Sequence, residues 1–323
     1  MPLDFVRQAE ASEIPVIDTA ALIDGDAAAK RRIAAQIVHA AENTGFFYVV
    51  NHGVPGALID AVFAGAQAFF ARPESEKLSI GLENSTCFRG YLPLDSRGSN
   101  PSKRNYLEAF QMGAEHKPDD DYERMLYGPN QWPANPPELR QTMMDYHAAM
   151  DALAIRLQRA FAIGIGFPED YFLRFYKKPL NQLRLLHYPP QPPDQDDVLG
   201  ARMHTDTGAF TILLQDMNGG LEVATPSGEW IAATPLDGAF VVNVADMLAN
   251  WTNGRFISIP HRVVNRSGRE RYSIPYFLNP DLDAVVAPLP EFVDAENPPR
   301  FEPVHVGGFL CDRFDSIWPR KTV

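Results

Sequence analysis

Residues 204–215 read HTDTGAFTILLQ, in which a histidine and an aspartate two positions apart lead into an apolar run. The run FTILLQ predicts a β-strand. In an extended chain, residues i and i+2 project to the same side, so the side chains of His204 and Asp206 should point together. The stretch therefore predicts a strand that begins beside a candidate pair of metal ligands.

Short predicted strands fill the sequence around this stretch. From residue 182 onward, β-rich runs alternate with turn signals. The runs are LRLLHY, FTILLQ, GLEVAT, EWIAAT, AFVVNV, HRVVN and RYSIPYF. Regular short strands of this kind are typical of a sandwich or a jelly roll.

The first part of the chain adds helices and a few strands. Apolar residues recur with a helical period in residues 27–43 and again in residues 58–70. The segments at 14–18 and 45–53 predict short strands. Residues 82–135 are rich in Gly, Pro, Asn and Asp, so we expect long loops there.

The longest helical pattern covers residues 137–163, with Pro137 well placed for the first turn. Its apolar side chains form one stripe, which indicates a helix that packs against a sheet. The stripe comprises Leu139, Met143, Tyr146, Met150, Leu153, Leu157 and Phe161.

Two further positions extend the candidate site. A metal centre that also binds small ligands can be held on one face by two histidines and one carboxylate, as in non-haem iron(II) oxygenases. His261 begins another predicted strand of the β-rich part, and a jelly roll could bring it beside His204 and Asp206. Ten residues later, Arg271 and Ser273 share one face of a strand and could bind a carboxylate.

The composition limits the classes of function. The net charge is −12, which disfavours binding to nucleic acid or to anionic lipid, because both depend on clustered Lys and Arg. Cys87 and Cys311 are too few and too far apart for a disulfide framework or a zinc ribbon. The sequence shows neither a signal peptide nor a long apolar segment. We therefore expect a cytoplasmic protein that neither spans a membrane nor binds nucleic acid, and its partner should be a small-molecule substrate.

The chain resembles the isopenicillin N synthase-like family of iron(II)- and 2-oxoglutarate-dependent oxygenases. The resemblance runs along most of the sequence, because similar segments occur in the same order. These segments are IPVID, NTGFFYVVNHGVP, FFARPESEKL, FRGY, LRLLHYPPQP, HTDTGAFTILLQD, GGLEV, NGRFISIPHRVVN and RYSIPYF.

The resemblance implies a fold and an arrangement of the chain. The fold would be mainly β with helices, a double-stranded β-helix (jelly roll) packed against N-terminal and long central helices. Residues 1–135 would form an N-terminal mixed region of helices and strands that does not fold independently. Residues 136–323 would form the dioxygenase jelly-roll core with its backing helix.

The resemblance also implies a chemistry. Iron(II) would bind His204, Asp206 and His261, and the C5 carboxylate of 2-oxoglutarate would bind Arg271 and Ser273. Tyr188 would add a hydroxyl group to that carboxylate. The protein would use Fe(II), 2-oxoglutarate and O2 to hydroxylate, desaturate or cyclise a small metabolite, with release of succinate and CO2.

Aromatic and basic side chains supply candidates for the substrate pocket. We expect it to include Phe88, Arg89, Tyr91, Phe110, His187 and Phe277. A guanidinium near an apolar pocket would suit a substrate that carries a carboxylate, and Arg89 could equally form a buried salt bridge. Where many members of the family have asparagine before Tyr-Tyr-Pro, this chain reads Leu186-His187-Tyr188, so Leu186 takes the place of the asparagine.

Other functions remain open at this point. An oxidase like isopenicillin N synthase would use no 2-oxoglutarate, and an ethylene-forming breakdown of 2-oxoglutarate is also compatible with the sequence. A non-catalytic small-molecule-binding β-barrel would not need His204, Asp206, His261, Arg271 and Ser273 together. A zinc hydrolase is the weakest alternative, because no His-Glu-x-x-His pattern is present.

Overall fold

The structure is a computed structural model that describes residues 6–94, 105–115, 126–134, 138–190 and 199–317. Short strands make up most of its regular structure. The strands are β1 Arg7–Gln8, β2 Val16–Asp18, β3 Phe46–Val50, β4 Gly90–Leu92, β5 Glu108–Gly113, β6 Gln182–Tyr188, β7 Ala201–His204, β8 Phe210–Gln215, β9 Leu221–Ala224, β10 Trp230–Ala232, β11 Phe240–Val244, β12 His261–Val263, β13 Arg271–Leu278, β14 Val285–Val286 and β15 Val304–His305.

The helices lie before, between and after these strands. The α-helices are α1 Ala21–Asp24, α2 Ala27–Asn43, α3 Gly56–Phe70, α4 Glu74–Leu78, α5 Glu138–Gly164, α6 Asp246–Trp251 and α7 Val306–Ile317. Short 3-10 helices cover Leu82–Asn84, Phe172–Phe175 and Pro290–Phe292. No helix in the described ranges is both long enough and apolar enough to cross a membrane.

The strands form two main sheets. The larger sheet has the order β2-β3-β11-β8-β13-β6-β5-β4, and the smaller has the order β1-β10-β9-β12-β7. All neighbouring strands are antiparallel except the pairs β1–β10 and β2–β3. Many neighbouring strands, such as β8 and β13 or β7 and β12, are far apart in sequence, as is typical of a jelly roll. The predicted fold, mainly β with helices around a jelly roll, is confirmed.

The long helix α5 covers one face of the larger sheet. It contacts α2, α3 and β13. Its predicted apolar stripe is buried from Leu139 to Phe161, because this face packs against the sheet and the other helices. The backing helix is therefore confirmed, while Pro137 lies outside the described residues.

The N-terminal part of the chain is built into both sheets. Strand β3 pairs with β11, β5 pairs with β6, and β1 pairs with β10. These ladders supply backbone hydrogen bonds that strands of the later part would otherwise lack. The expected boundary at residues 135 and 136 lies outside the described residues.

Residues 82–135 contain more regular structure than we expected. Strands β4 and β5 lie within this segment and extend the larger sheet. In the sequence of β5, the polar residues Glu108 and Gln111 interrupt the apolar pattern from which a buried strand is predicted. Both are buried and hydrogen-bonded, Glu108 to His187 and Gln111 to the carbonyl oxygen of Phe88. Residues 95–104 and 116–125 of this segment lie outside the described ranges.

Candidate metal centre and active-site cavity

Three side chains meet at the end of the smaller sheet. Strands β7 and β12 pair so that His204 lies opposite His261, and Asp206 follows β7 by two residues. The Nε2 atoms of His204 and His261 lie 3.6 Å and 3.7 Å from Oδ1 of Asp206. The potential ligand atoms of the three residues all lie within 4.8 Å of one another. This spacing suits three ligands on one face of a single metal ion.

Backbone carbonyl groups orient the two histidine rings. Nδ1 of His204 lies 2.7 Å from the carbonyl oxygen of Arg202, and Nδ1 of His261 lies 3.3 Å from that of Ile259. A nitrogen that faces a carbonyl oxygen must donate, so Nδ1 carries the proton and Nε2 keeps its lone pair. Burial lowers the pKa of His261 to about 4, so the ring is neutral at pH 7 and ready to bind a metal.

Two polar side chains hold the carboxylate of Asp206. Its Oδ2 atom accepts hydrogen bonds from Oγ1 of Thr211 at 2.6 Å and from Nδ2 of Asn243 at 2.9 Å. Burial opposes the charge of Asp206, but His261, His204 and these hydrogen bonds outweigh it and lower its pKa. The carboxylate is therefore ionised and presents Oδ1 to the two histidines.

Asp246 fixes the turn that carries the ligands. Its backbone N–H donates to the carbonyl oxygen of Asp206 at 2.9 Å. Its carboxylate accepts from Oγ1 of Thr205 at 3.1 Å and from Oγ of Ser258 at 2.7 Å. Burial raises the pKa of Asp246. The side chain thus ties the segment of His204 to the loop that precedes His261.

A buried arginine, Arg271, is the first residue of β13 in the larger sheet. Arg271 is fully buried. Its guanidinium donates hydrogen bonds of 3.3 Å to Oγ of Ser273 and of 3.3 Å to Oε1 of Gln215. Oγ of Ser273 lies 3.5 Å from the hydroxyl oxygen of Tyr188, and the guanidinium lies 4.6 Å from the centre of the Tyr188 ring. No carboxylate of the described chain pairs with Arg271. A buried guanidinium without an acidic partner, beside two hydroxyl groups, suits a bound carboxylate.

The backbone approaches Arg271 closely at Gly220. This residue has φ 94°, and a Cβ atom there would lie 2.8 Å from the carbonyl oxygen of Val264. Glycine is therefore required at this turn. The preceding carbonyl group, that of Gly219, accepts a hydrogen bond from Nε of Arg271 and fixes its direction.

One cavity of about 370 Å³ connects the two groups of residues. It lies between the sheets, with the potential metal ligands on one wall and Arg271, Ser273 and Tyr188 on another. Helix α7 closes part of the cavity. The residues of α7 that line the cavity follow a helical spacing and are Leu310, Arg313, Phe314 and Ile317.

Of the residues suggested for the substrate pocket, Phe277 lines the cavity. Phe110, Tyr91 and His187 lie on the opposite face of the larger sheet, because neighbouring strand residues point to opposite faces. The rings of Phe110 and Tyr91 pack 4.7 Å and 6.0 Å from that of Phe69 in α3. His187 lies between two carboxylates on the same outer face.

The remaining two candidates lie behind the cavity wall. The ring of Phe88 packs 5.3 Å from that of Phe314, which itself lines the cavity. Arg89 is fully buried, and none of its three side-chain nitrogens has a hydrogen-bond partner in the described residues. Its guanidinium lies flat on Gly113, where a Cβ atom would come within 2.6 Å. Burial lowers the pKa of Arg89. The salt bridge suggested for Arg89 is not formed in the described part of the chain.

Several site residues were not found from the sequence. Thr211 and Asn243 hold Asp206 from within apolar strands, and a polar residue in AFVVNV is a signal that could have revealed Asn243. Arg202 and Arg313 also line the cavity. Arg202 precedes the predicted ligand His204 by two residues, and this spacing is a signal that could have revealed it. For Arg313 the sequence offers no comparable signal, because the direction of its side chain depends on how α7 packs.

The jelly roll and the His-Asp-His cluster together define the class of mononuclear non-haem iron oxygenases. Residues 179–280 match the model of the 2OG-Fe(II) oxygenase superfamily, and residues 14–135 match the model "non-haem dioxygenase in morphine synthesis N-terminal". The chain is also 37% identical to the 2-oxoglutarate-Fe(II) type oxidoreductase hxnY of Emericella nidulans, over 95% of this chain and 90% of the relative. The chain therefore belongs to the 2-oxoglutarate- and Fe(II)-dependent oxygenases.

Solved structures agree with this assignment. A full-length Neurospora crassa protein, in complex with alpha-KG and thymine, superposes with a TM-score of 0.84 and 32% identity, covering 94% of this chain and 97% of that one. JOX2 in complex with 2OG, Fe and JA gives a TM-score of 0.78 and 29% identity, covering 98% and 87%. The resemblance to the isopenicillin N synthase-like family is confirmed. The protein is an oxygenase that uses Fe(II), 2-oxoglutarate and O2 to oxidise a small metabolite, and the alternative functions are not favoured.

Proposed function

We propose that His204, Asp206 and His261 are the iron(II) ligands of this oxygenase, and that Arg271, Ser273 and Tyr188 bind the C5 carboxylate of 2-oxoglutarate. The observation that carries the proposal is the buried guanidinium of Arg271. It faces the same cavity as the three potential ligands and has no acidic partner in the described chain. A buried charge of this kind is costly unless a counter-charge binds.

The donor set fits iron(II). Two neutral imidazoles and one carboxylate leave the opposite positions open for a chelating co-substrate and O2. When bound, iron(II) with 2-oxoglutarate and O2 supplies the oxidising chemistry, which converts 2-oxoglutarate to succinate and CO2.

The protein's own side chains position and shield the reactants. Thr211 and Asn243 keep Asp206 ionised and fixed. The carbonyl groups of Arg202 and Ile259 keep both Nδ1 atoms protonated, so both Nε2 atoms face the metal position. Arg271 holds one end of 2-oxoglutarate through a charge-assisted contact. The walls of the cavity shield part of the site from water.

We also propose that the substrate is a small organic molecule rather than a nucleic acid or a membrane component, and that the protein is cytoplasmic. The complexes of the Neurospora crassa protein with thymine and of JOX2 with JA support the first statement. A cavity of about 370 Å³ suits a molecule of that size. The net charge of −12 supports the first statement as well. Cell fractionation tests the location, and recovery of the protein in the membrane pellet would contradict it.

The test of the site is an anaerobic titration of the iron(II)-loaded protein with 2-oxoglutarate, followed by the weak visible charge-transfer band of the chelate. The band should be absent in His204→Ala. In Arg271→Gln, half-saturation should need roughly 10- to 100-fold more 2-oxoglutarate, because a charge-assisted hydrogen bond to a buried group is lost.

Two variants keep this test interpretable. Arg269→Gln removes an exposed arginine from the turn before β13, so its titration should match that of the wild type. Arg271→Lys keeps the charge but loses the paired donors of the guanidinium. Its 2-oxoglutarate concentration at half-saturation should therefore lie between those of the wild type and Arg271→Gln. Equal titration curves for Arg271→Gln and Arg269→Gln, with normal iron content in both, would show that Arg271 does not bind the co-substrate.

A further inference from the structure

The charge of the cavity contrasts with the charge of the chain. The protein has 41 Asp and Glu residues against 29 Lys and Arg residues. Among the described residues that line the cavity, Asp206 is the only acid, whereas four are arginines. These arginines are Arg184, Arg202, Arg271 and Arg313.

The iron and the co-substrate do not neutralise this excess. If the proposed site is correct, the two carboxylates of 2-oxoglutarate balance the charge of iron(II), and Asp206 balances Arg271. Arg184 takes part in another interaction, so the charges of Arg202 and Arg313 are the ones left without a counter-charge among the described lining residues. Like charges that line a cavity with low-dielectric walls attract ligands of the opposite sign.

Arg202 lies next to the potential metal ligands. It precedes His204 by two residues on β7, so both side chains project to the same side. It is half-buried and lines the cavity, and its backbone N–H donates to Oδ1 of Asn105 at 3.0 Å. No acid of the described chain forms an ion pair with its guanidinium.

Arg313 reaches the cavity from α7. It is exposed, which places it at the mouth, while its neighbours Leu310 and Phe314 are buried beneath it. Asp246 lies near enough to be stabilised by the charge of Arg313, but its carboxylate already accepts hydrogen bonds from Thr205 and Ser258. The structure describes no ion pair between Arg313 and an acid of the described ranges.

We infer that the substrate is a small organic acid whose carboxylate binds Arg202 and Arg313. The inference rests on the proposed site and adds the class of its substrate. A guanidinium matches a carboxylate in geometry as well as in charge. The apolar part of the substrate would contact the apolar lining of the cavity. That lining includes Leu107, Leu213, Phe277 and Phe314.

The two arginines come from different elements, one from β7 and one from α7. A carboxylate held between them is fixed in position relative to His204, because Arg202 shares its strand. One C–H group of the substrate would consequently face the metal position in each turnover, which is the positioning that a selective oxidation needs.

The test uses pairs of probes that differ in charge but hardly in shape. Benzoate, phenylacetate, cyclohexanecarboxylate and indole-3-acetate are each compared with the corresponding primary amide. Binding to the anaerobic enzyme with iron(II) and 2-oxoglutarate is followed by calorimetry and by perturbation of the chelate band. At least one acid should bind about tenfold or more tightly than its amide, because charge-assisted hydrogen bonds are lost in the amide.

The variants Arg202→Gln and Arg313→Gln locate the effect. Each should weaken binding of the acid about tenfold and leave binding of the amide unchanged. The charge-matched control is Arg31→Gln, which removes an exposed arginine from α2 and should change neither. All three proteins should keep the chelate band and the melting temperature of the wild type, which excludes misfolding.

Three results would overturn the inference while the band remains intact. The first is that every acid binds with the same affinity as its amide. The second is that Arg31→Gln weakens binding of the acid as much as Arg202→Gln and Arg313→Gln do. The third is that none of the four acids binds at millimolar concentration. Absence of the chelate band in the wild type would contradict the proposed site instead, so the two failures are distinguishable.

Discussion

Two clusters of histidine and carboxylate lie on opposite sides of the larger sheet, and they differ in what their ring nitrogens face. In the proposed metal site, called the metal cluster and defined as His204, Asp206 and His261, each Nδ1 faces a backbone carbonyl group and each Nε2 faces the cavity. The lone pairs of both rings are thus directed at one point, which is available to an ion.

The outer cluster, defined as Lys77, Glu108, His187 and Glu270, leaves no such position. Nδ1 of His187 lies 2.7 Å from Oε1 of Glu108, and Nε2 lies 2.5 Å from Oε2 of Glu270. Both ring nitrogens of His187 thus face carboxylate oxygens, so neither is left to bind a metal. The other oxygen of Glu108 accepts from Lys77 at 2.7 Å. The partner of the second ring nitrogen therefore distinguishes the proposed metal ligands from the structural histidine.

The largest difference between the clusters should appear when one histidine is removed from each. Removing a residue that hydrogen-bonds a metal ligand typically lowers metal affinity roughly 10- to 100-fold, and His204→Ala should lower iron affinity by more than this. The substitution should have little effect on folding, because the His204 side chain is 40% exposed. His187→Ala should leave iron affinity unchanged and lower the free energy of unfolding by about 2 kcal/mol. Iron content after anaerobic gel filtration and urea unfolding are the two measurements. Weaker iron binding in His187→Ala would contradict the purely structural role of His187.

The next largest effect concerns Glu108 and depends on pH. Burial opposes its charge, but hydrogen bonds from His187, Lys77 and Tyr91 outweigh that cost and lower its pKa. Glu108→Gln should therefore lower the free energy of unfolding by about 3 kcal/mol at pH 7.

The sign of the pH dependence follows from that lowered pKa. The stabilisation is present above the pKa of unfolded glutamate, about 4.3, and is lost as the pH falls through the lower value of the folded state. The difference in the free energy of unfolding between wild type and Glu108→Gln should thus be constant near pH 7 and become smaller below about pH 4. Urea unfolding of the metal-free proteins measures it, with the exposed Glu169→Gln as control. A difference that does not change with pH would contradict this role.

The smallest effects should come from single hydroxyl groups. Oγ1 of Thr211 donates to Asp206 in the metal cluster, and the hydroxyl of Tyr91 donates to Glu108 in the outer cluster at 2.5 Å. Thr211→Val should weaken iron binding about tenfold. Tyr91→Phe should lower the free energy of unfolding by about 1 kcal/mol and leave iron binding unchanged. If Tyr91→Phe weakened iron binding and Thr211→Val did not, the two clusters would not be separate in function.

The parts of the site that could be predicted depend on local geometry. His204 and Asp206 share one face because of their spacing in extended chain, and the same holds for Arg271 and Ser273. The strands β8, β11 and β13 are predictable from their apolar runs. The pairing of His261 with His204 is not local. The β-rich pattern showed only that a jelly roll could bring them together, and the resemblance to a family implied that it does.

The parts that could not be predicted depend on which face of an element is covered. The alternation in β6 places residues 186 and 188 on one face and His187 on the other, but it does not say which face borders the cavity. That is decided by α3, whose Phe70 ring packs 5.3 Å from the His187 ring. Likewise, Arg313 can be assigned to the cavity only once the packing of α7 is known.

The arrangement of the chain remains a proposal. We propose that residues 1–135 and 136–323 do not fold separately, because β3 and β5 pair with strands β11 and β6 of the later part. A fragment of residues 136–323 should therefore lack a cooperative thermal transition. Cooperative unfolding of that fragment by circular dichroism would refute the proposal.

The position of β7 at the end of the smaller sheet has a consequence for the protein without metal. This strand pairs only with β12 in the described sheets, so few backbone hydrogen bonds hold it. A metal bound by His204, Asp206 and His261 joins points roughly 55 residues apart and acts as a cross-link that closes the intervening loop. Removal of iron should consequently let this edge of the sheet fray, and the amide hydrogens of β7 should then exchange with solvent faster than those of β8.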